Sequence, residues 1–218
     1  MRHQLLKGVI LTIAALNAPL LFNQLYRMDW YRGVLLDCID GLMLPKNTKV
    51  LDLGCGPGNL SHHLSRCGMR VVGADTSVKM LRRASKANTD VEFVQADAMN
   101  LPMPDSEFDF VLLASLINVV PDRTKVLREA RRVLRPKGQT SVLFPTPEFD
   151  AVTAERIAME RSLSPVSTAA MSAWATASKK LEVSQICEEF GKAGYKNISS
   201  DCFLDQNVAA VTASKPRD

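Results

Sequence analysis

Three glycines at alternate positions follow an apolar run in the first third of this chain. The run ends at Leu53, and Gly54, Gly56 and Gly58 come directly before a segment with helical spacing. Glycines remove Cβ atoms where the backbone turns sharply, and they let a ligand approach the backbone closely. The first turn of the following helix adds unpaired N–H groups and a partial positive charge. The sequence therefore predicts a strand, a nucleotide-binding turn and a helix, in this order.

Two acidic residues are suitably placed for a ligand in such a turn. Asp52 comes just before it, where its carboxylate can reach a cationic group. Asp75 stands 21 residues after Gly54, at the end of a second apolar run. This spacing is typical of a βαβ unit that brings a carboxylate to ribose hydroxyls, so we expect an adenosine derivative. Dinucleotides are disfavoured, because Asn59 stands where their fingerprint has a third glycine or alanine.

Apolar runs and helical patterns alternate along the chain. After helices within 4–44, strands are predicted over 49–53, 69–75, 91–96, 108–114 and 139–145, and helices over 58–67, 77–88 (with Ser77 as its cap), 122–134 and 181–193. The runs 197–204 and 207–214 are separated by Asp205 and Gln206, which predicts a terminal antiparallel pair. Such a βαβ series indicates an α/β fold with a largely parallel sheet.

Residues 51–58 resemble the first motif of the class I S-adenosylmethionine-dependent methyltransferases, specifically the small-molecule branch called type 11. The similarity continues at 95–98, 101–109 and 131–138. It implies a Rossmann-like, seven-stranded, mostly parallel sheet with a C-terminal antiparallel strand. It also implies S-adenosylmethionine as the cofactor and an in-line displacement of its methyl group, which depends on alignment and exclusion of water.

The resemblance also assigns roles to individual residues. Asp75 is expected to bind the ribose, Asp97 to accept a hydrogen bond from the adenine amino group, and the backbone of Ala98 to face the adenine ring. The glycine turn is expected to carry the methionine part. The whole predicted cofactor set is Asp52, Gly54, Cys55, Gly56, Gly58, Asp75, Thr76, Met80, Asp97, Ala98 and Ala114.

Few side chains could take a proton from an acceptor molecule. Asn118 follows the fourth strand, where members of the family often have a histidine or another polar residue. Asparagine is not a base, so we expect Asn118 to position the acceptor. Tyr26 is expected to contact the cofactor or the acceptor, and Asp29, His62 and His63 are further candidates for a base.

We expect one α/β domain over the 218 residues. Its predicted parts are an N-terminal helical cap (1–46), a cofactor-binding core (47–146), a lid insertion (147–180) and a C-terminal helix with two strands (181–218). Helical spacing within the lid covers 152–161 and 169–177. An insertion after the fifth strand overhangs the ligand edge of the sheet, so the lid and residues 16–33 are expected to form the acceptor pocket. In these segments either a pocket or simple packing of the cap is expected for Trp30, Met159, Met171 and Trp174.

Charge and composition narrow the range of partners. The net charge of +4 is mild, and its cations lie mainly on two predicted helices without interleaved aromatic residues. A solvated helix face is therefore favoured over a nucleic-acid surface. The five cysteines are an odd number without CxxC spacing, which disfavours a disulfide framework and a metal site and predicts a reducing, cytoplasmic location.

The apolar run 8–21 leaves several interpretations open. Asn17 and Pro19 interrupt it, which favours a helix packed over the active site, with peripheral membrane contact and a targeting segment as alternatives. The predicted acceptor is a small, largely apolar organic molecule of secondary or quinone-type metabolism. A cofactor-binding protein without catalysis and a protein or RNA methyltransferase are the alternative functions.

Overall fold

Seven strands form one sheet in the computed structural model of the protein, which describes residues 5–10, 12, 18–86 and 90–217, with only the backbone of 18–21. The strands are β1 (Lys49–Leu53), β2 (Arg70–Asp75), β3 (Glu92–Gln95), β4 (Phe108–Ala114), β5 (Leu134–Pro145), β6 (Lys196–Phe203) and β7 (Val208–Ser214). Their order is β3-β2-β1-β4-β5-β7-β6. The first five pair in parallel, and β7 is antiparallel to both of its neighbours. The predicted sheet is therefore confirmed.

Helices cover both faces of the sheet and its ligand edge. They are α1 (Ala18–Tyr26), α2 (Asp29–Gly41), α3 (Asn59–Arg66), α4 (Val78–Ala84), α5 (Arg123–Val133), α6 (Ala151–Glu160), α7 (Pro165–Ala177) and α8 (Val183–Lys192). Residues 5–10 are also helical. The predicted cap of α4 is confirmed, because Ser77 Oγ accepts a hydrogen bond from the Met80 N–H at 3.3 Å.

Several predicted boundaries differ from the structure by a few residues, among them those of β5 and α4. Strand β5 begins at Leu134, five residues before the predicted start, because Leu134 already pairs with Phe108 ahead of an irregularity in the register. The helix predicted over 77–88 ends at Ala84, and 87–89 lie outside the described residues. Both differences arise at the ends of elements, where local pattern carries the least information.

Strand β4 shows how the sequence builds two apolar layers. Successive side chains of a strand point to opposite faces of the sheet. Val111 and Leu113 accordingly join the core beneath α5 and α8, whereas Phe110 and Leu112 join the core beneath α2, α3 and the lid helices. All four are nearly inaccessible to solvent. A strand buried on both faces reads as a continuous apolar run, as expected for the centre of a parallel sheet.

The segment predicted as a lid contains α6 and α7, which pack against each other and onto the N-terminal helices. Met171 is fully buried, and Trp30 is buried against Trp174. Met159, in contrast, is 73% exposed beside the equally exposed Val152 on the outer face of α6. The expectation that Met159 packs the cap or lines a pocket is therefore wrong.

Cations of the basic helix α5 and of the residues just after it form ion pairs with neighbouring elements. Arg123 lies 3.6 Å from a carboxylate oxygen of Glu189, and Arg135, just after the helix, lies 2.5 Å from one of Asp109. The first ion pair connects helix α5 to α8, and the second connects the start of β5 to β4. Paired cations of this kind do not favour a nucleic-acid surface.

The described part of the chain contains no helix that is long and apolar enough to cross a bilayer. Leu5 and Val9 are exposed within the helical residues 5–10. Peripheral membrane contact through the N-terminal segment stays a prediction, because much of the apolar run 8–21, Asn17 included, lies outside the described residues.

Arg132 joins α5 to the segment that leads into β4. Its guanidinium donates hydrogen bonds to the carbonyl oxygens of Leu101 and Met103, each at 2.9 Å. It also donates to the carboxylates of Glu129 at 2.9 Å and Asp105 at 2.7 Å. A planar group with five N–H donors can satisfy these acceptors together, whereas an ammonium group has three donors on one nitrogen.

Replacing Arg132 by lysine should lower the free energy of unfolding by about 2 kcal/mol, because at least one partly buried acceptor loses its donor. Arg128→Lys, on the exposed face of the same helix, is the matched control and should stay within about 0.5 kcal/mol of the wild type. Urea unfolding measures both variants. Equal stability of the two would contradict the role given to Arg132.

Candidate active site

An open cleft lies at the carboxyl ends of β1, β2 and β4. Its empty volume is about 750 Å³, with the solvent space at its mouth included. The turn residues 54–57 form one wall, Asp75 and Met80 form another, and Ala114 and Ser115 close the end of β4. Ligands of open α/β sheets bind at this edge.

The predicted cofactor residues fall into two groups. Those that line the cleft are Asp52, Gly54, Cys55, Gly56, Asp75, Met80 and Ala114. Gly58, Thr76, Asp97 and Ala98 are not among its described lining residues. The carbonyl of the exposed Thr76 accepts a hydrogen bond from the Gln95 side chain at 3.1 Å, and Asp97 Oδ1 accepts one from the Met99 N–H at 2.9 Å. Their contacts with a cofactor stay predictions.

Asp75 fixes the shape of the cleft wall. Its Oδ2 accepts a hydrogen bond from the Gly56 N–H at 2.9 Å, and its Oδ1 accepts one from the Ser77 N–H at 2.8 Å. The carboxylate thereby connects the glycine turn after β1 to the start of α4 after β2. An ionised carboxylate has about four acceptor sites, so Asp75 can also accept hydrogen bonds from ligand hydroxyls in the cleft.

Gly56 and Gly58 both have a left-handed backbone, with φ of +53° and +77°, but their surroundings differ. A Cβ atom at Gly56 would meet nothing nearer than Met80 Sδ at 4.0 Å. A Cβ atom at Gly58 would lie 2.8 Å from both Ala84 Cβ and Phe93 Cζ. Gly56 therefore keeps the cleft open, whereas Gly58 allows α3 to pack closely against α4 and β3.

Asp52 is buried beneath the turn, with 2% of its surface exposed. Burial is the main reason why the pKa of Asp52 rises to about 6, and the nearby charge of Asp75 raises it further. A hydrogen bond from Ser61 Oγ at 2.5 Å favours the ionised form and opposes this rise. A cationic ligand group beside Asp52 would favour its ionised form. The sequence reasoning missed Ser61, whose only signal is its place in the first turn of the helix after the glycines.

The N-terminus of α3 faces the cleft. Gly58 is its N-cap and supplies no side-chain hydrogen bond, while Asn59 and Leu60 line the cleft. Unpaired N–H groups and the helix dipole at such an end favour a negatively charged ligand group. The cleft thus combines the N-terminus of α3, which favours an anionic group, with the carboxylate of Asp52.

A second, mostly apolar cavity adjoins the cleft. Its described lining consists of Ile10, Phe22, Leu25, Tyr31, Ser115, Asn118, Val119, Ala170, Ala173, Trp174, Ala177 and Ser178. Phe22, Tyr31 and Ser115 line both cavities and therefore form the junction between them. The structure thus brings the N-terminal helices, the end of β4 and the lid helix α7 together beside the cleft.

The two residues predicted to position a reactant lie in different cavities. Tyr26 lines the cleft, and burial raises the pKa of its hydroxyl. Asn118 is 5% exposed and lines the apolar cavity. Both side chains are uncharged at neutral pH, so neither supplies a general base there.

The three candidate bases lie elsewhere. Asp29 is exposed and pairs with Arg32 at 2.5 Å. His62 is buried with its Nε2 atom 2.9 Å from the carbonyl oxygen of Ala84, and burial lowers its pKa. His63 follows it on α3. None of the three is among the described lining residues of either cavity, and the described ranges contain no cluster of ligands for a metal ion.

The chain is similar in sequence to known methyltransferases. The family model described as "Methyltransferase domain" matches residues 51–142. A demethylmenaquinone methyltransferase of Thermotoga maritima is 43% identical over 97 residues, which are 44% of this chain and 42% of that protein. The 27-O-demethylrifamycin SV methyltransferase of Amycolatopsis mediterranei is 37% identical over 135 residues, covering 56% of this chain and 50% of that protein. The matched region spans about half the length of these curated relatives.

A solved structure has the same fold. A SAM-dependent methyltransferase of Thermotoga maritima matches with a TM-score of 0.66 at 19% identity, covering 88% of this chain and 92% of that one. At this identity the likeness shows the fold alone. Together with the strand order, it confirms the predicted Rossmann-like architecture.

Replacing Gly58 by alanine should destabilise the protein more than replacing Gly56. Both changes place alanine in a left-handed backbone, which costs about 1–2 kcal/mol. Only Gly58→Ala adds overlap with Ala84 and Phe93, for which we expect about 1–3 kcal/mol more. Urea unfolding of the two variants measures the difference. Equal losses would rule out the packing role of Gly58.

Asp52→Asn should raise stability at high pH. The folded pKa of about 6 exceeds the ordinary value of 3.8, so ionisation of Asp52 costs stability as the pH rises from about 4 through 6. Asparagine cannot ionise, but it can still accept the hydrogen bond from Ser61. Unfolding free energies of variant and wild type should agree near pH 4 and differ by about 2–3 kcal/mol near pH 8. A difference that does not change with pH would contradict this account.

Proposed function

We propose that this chain, whose residues 51–142 match the methyltransferase family model, is a class I S-adenosylmethionine-dependent methyltransferase that transfers the methyl group of S-adenosylmethionine to a small, largely apolar organic acceptor. The observation that carries this proposal is the cleft, where Asp75 stands beside a glycine turn that Gly56 leaves open. The names of the two relatives, which act on demethylmenaquinone and on 27-O-demethylrifamycin SV, support a small-molecule acceptor of quinone-type or secondary metabolism.

The charges of the cleft suggest how its residues hold the cofactor. The N-terminus of α3, at Asn59, suits the methionine carboxylate, and Asp52 suits the methionine ammonium group. Asp75 suits the ribose hydroxyls. Asp97 and Ala98 follow β3, whose end pairs with the end of β2 at Asp75, and we assign them to the adenine ring.

The chain's own residues then perform binding, alignment and exclusion of water. The bound sulfonium compound supplies an electrophilic methyl group. Correct orientation of two reactants can contribute about 7–11 kcal/mol to lowering the barrier. The apolar cavity beyond Phe22, Tyr31 and Ser115 keeps water from the acceptor side of the junction. Tyr26 contacts the cofactor from the opposite wall of the cleft.

All five cysteines of the chain are free. Free thiols in every position support a reducing compartment, and we include a cytoplasmic location in the proposal.

S-adenosylhomocysteine should bind the wild type with a stoichiometry of one and should bind Gly56→Ala at least about tenfold more weakly. The added methyl group would occupy cleft space without displacing a packed neighbour. Gly191→Ala, in α8, also meets nothing within 4 Å and is the matched control with wild-type affinity. Isothermal titration calorimetry gives the three affinities. Folded wild-type protein that does not bind S-adenosylhomocysteine, or that binds NADH in its place, would refute the proposal.

Turnover separates an enzyme from a protein that binds the cofactor without catalysis. Wild-type protein supplied with S-adenosylmethionine and a panel of small aromatic acceptors should release S-adenosylhomocysteine, and Gly56→Ala should release far less. Binding without any turnover would favour the non-catalytic alternative.

A further inference from the structure

Two polar atoms of the residues that line the apolar cavity lack hydrogen-bond partners among the described residues. They are Asn118 Oδ1 and Ser178 Oγ, and both are enclosed by the protein. Buried polar atoms of native proteins are nearly always paired, so each exception requires an explanation. Both residues line the same cavity. Solvent reaches neither atom, so a ligand bound there can supply the missing partner once the side chain turns toward it.

An aromatic cluster forms another part of the cavity wall. The ring of Trp174 packs against the rings of Trp30, Tyr31 and Phe149, with centroid distances of 5.8, 5.4 and 4.9 Å. Tyr31 and Trp174 line the cavity, and the half-exposed ring of Phe22 joins them there. Rings fixed in this way offer faces and edges to another ring. The wall therefore favours a planar aromatic ligand over a flexible chain.

The polar atoms also restrict the chemistry of the ligand. None of the described lining residues is charged, so a phosphate or carboxylate would lose its hydration without a counter-charge. The oxygen of Asn118 accepts a hydrogen bond and cannot donate one, whereas the hydroxyl of Ser178 can do either. A ligand hydroxyl can donate to Asn118 and accept from Ser178. An aromatic amine donates well but accepts poorly.

We propose that this cavity selects a planar aromatic acceptor that carries a hydroxyl group, and that Asn118 and Ser178 are the specificity-determining residues that hold this hydroxyl. The inference rests on the proposed function. In the transfer, the hydroxyl oxygen or the ring carbon beside it forms a bond to the methyl carbon. The bond from that carbon to sulfur breaks with its electron pair left on sulfur, and the acceptor releases one proton to water. The junction at Tyr31 is where the reacting atoms meet.

Tryptophan fluorescence of the protein can report ligand binding in this cavity. Its two tryptophans, Trp30 and Trp174, both belong to the aromatic cluster, so tryptophan emission should respond to a bound ring. Three probes separate the two features of the ligand. para-tert-Butylphenol has the ring and the hydroxyl, tert-butylbenzene lacks the hydroxyl, and para-tert-butylcyclohexanol lacks the aromatic ring. Each probe is titrated into protein saturated with S-adenosylhomocysteine, with excitation at the red edge of the tryptophan band, where the probes do not absorb.

The phenol should bind about tenfold more tightly than tert-butylbenzene, because it pairs atoms that are otherwise unpaired. It should bind at least about threefold more tightly than the cyclohexanol, because its ring contacts an aromatic wall. Asn118→Ala should remove most of the preference for the phenol over tert-butylbenzene while changing the affinity for tert-butylbenzene little. If the role of Asn118 were purely structural, Asn118→Ala would lower the affinity for both probes equally.

Two further variants complete the design. Ser178→Ala should reduce the same preference in part, and it keeps the test decisive if Asn118→Ala does not fold. Asn100→Ala removes an exposed asparagine outside the cavity and should retain the full preference.

Equal affinities of the phenol and tert-butylbenzene for the wild type would overturn the inference, and so would a preference that survives in both cavity variants. Protein that binds S-adenosylhomocysteine but none of the probes would also overturn it, and the proposed function would stand. If S-adenosylhomocysteine itself does not bind, the proposed function falls, and this inference falls with it.

Discussion

The carboxylate of Asp75 holds together the two turns that shape the cleft. One of its oxygens accepts a hydrogen bond from the Gly56 N–H and the other from the Ser77 N–H. The turn after β1 and the start of α4 are therefore held in a fixed relative position, a fixed relation between the two segments. The open space at Gly56 and the direction of the α3 N-terminus both depend on this relation. Because Asp75 also lines the cleft, one group serves the backbone and the proposed recognition of the ribose.

The residues after β4 border both the cleft and the apolar cavity. Ser115 has a left-handed backbone, with φ of +61°, and its N–H donates a hydrogen bond to the carbonyl oxygen of Leu143 on β5. A non-glycine residue in this region is uncommon and often marks a functional turn. Here the turn brings Ser115 to the junction of the two cavities and Asn118 into the apolar one. The cleft and the apolar cavity, which we propose as the donor and acceptor sites, therefore share one strand end.

Local patterns predicted the succession of strands and helices along the chain and the glycine turn, because apolar periodicity and glycine spacing are properties of short segments. The seven-stranded, Rossmann-like sheet architecture was expected only from the family resemblance. Long-range packing was not readable in this way. Gly58 was assigned to the cofactor with the other glycines, and its contacts with Ala84 and Phe93 become visible only when α4 and β3 are in place. Helical spacing did not reveal that Met159 faces outward. Tyr31 lies within the segment that was expected to form the acceptor pocket. Its place at the junction of the two cavities could not be predicted, because it depends on the packing of α2 near the end of β4.

A crystal structure of the complex with S-adenosylhomocysteine tests the central claim most directly. The account predicts that the ribose hydroxyls bond to Asp75, that the carboxylate of the ligand lies at the N-terminus of α3, and that its sulfur points to the junction of Phe22, Tyr31 and Ser115. A ligand in the cleft whose sulfur points away from that junction, or a ligand bound outside the cleft, would contradict it.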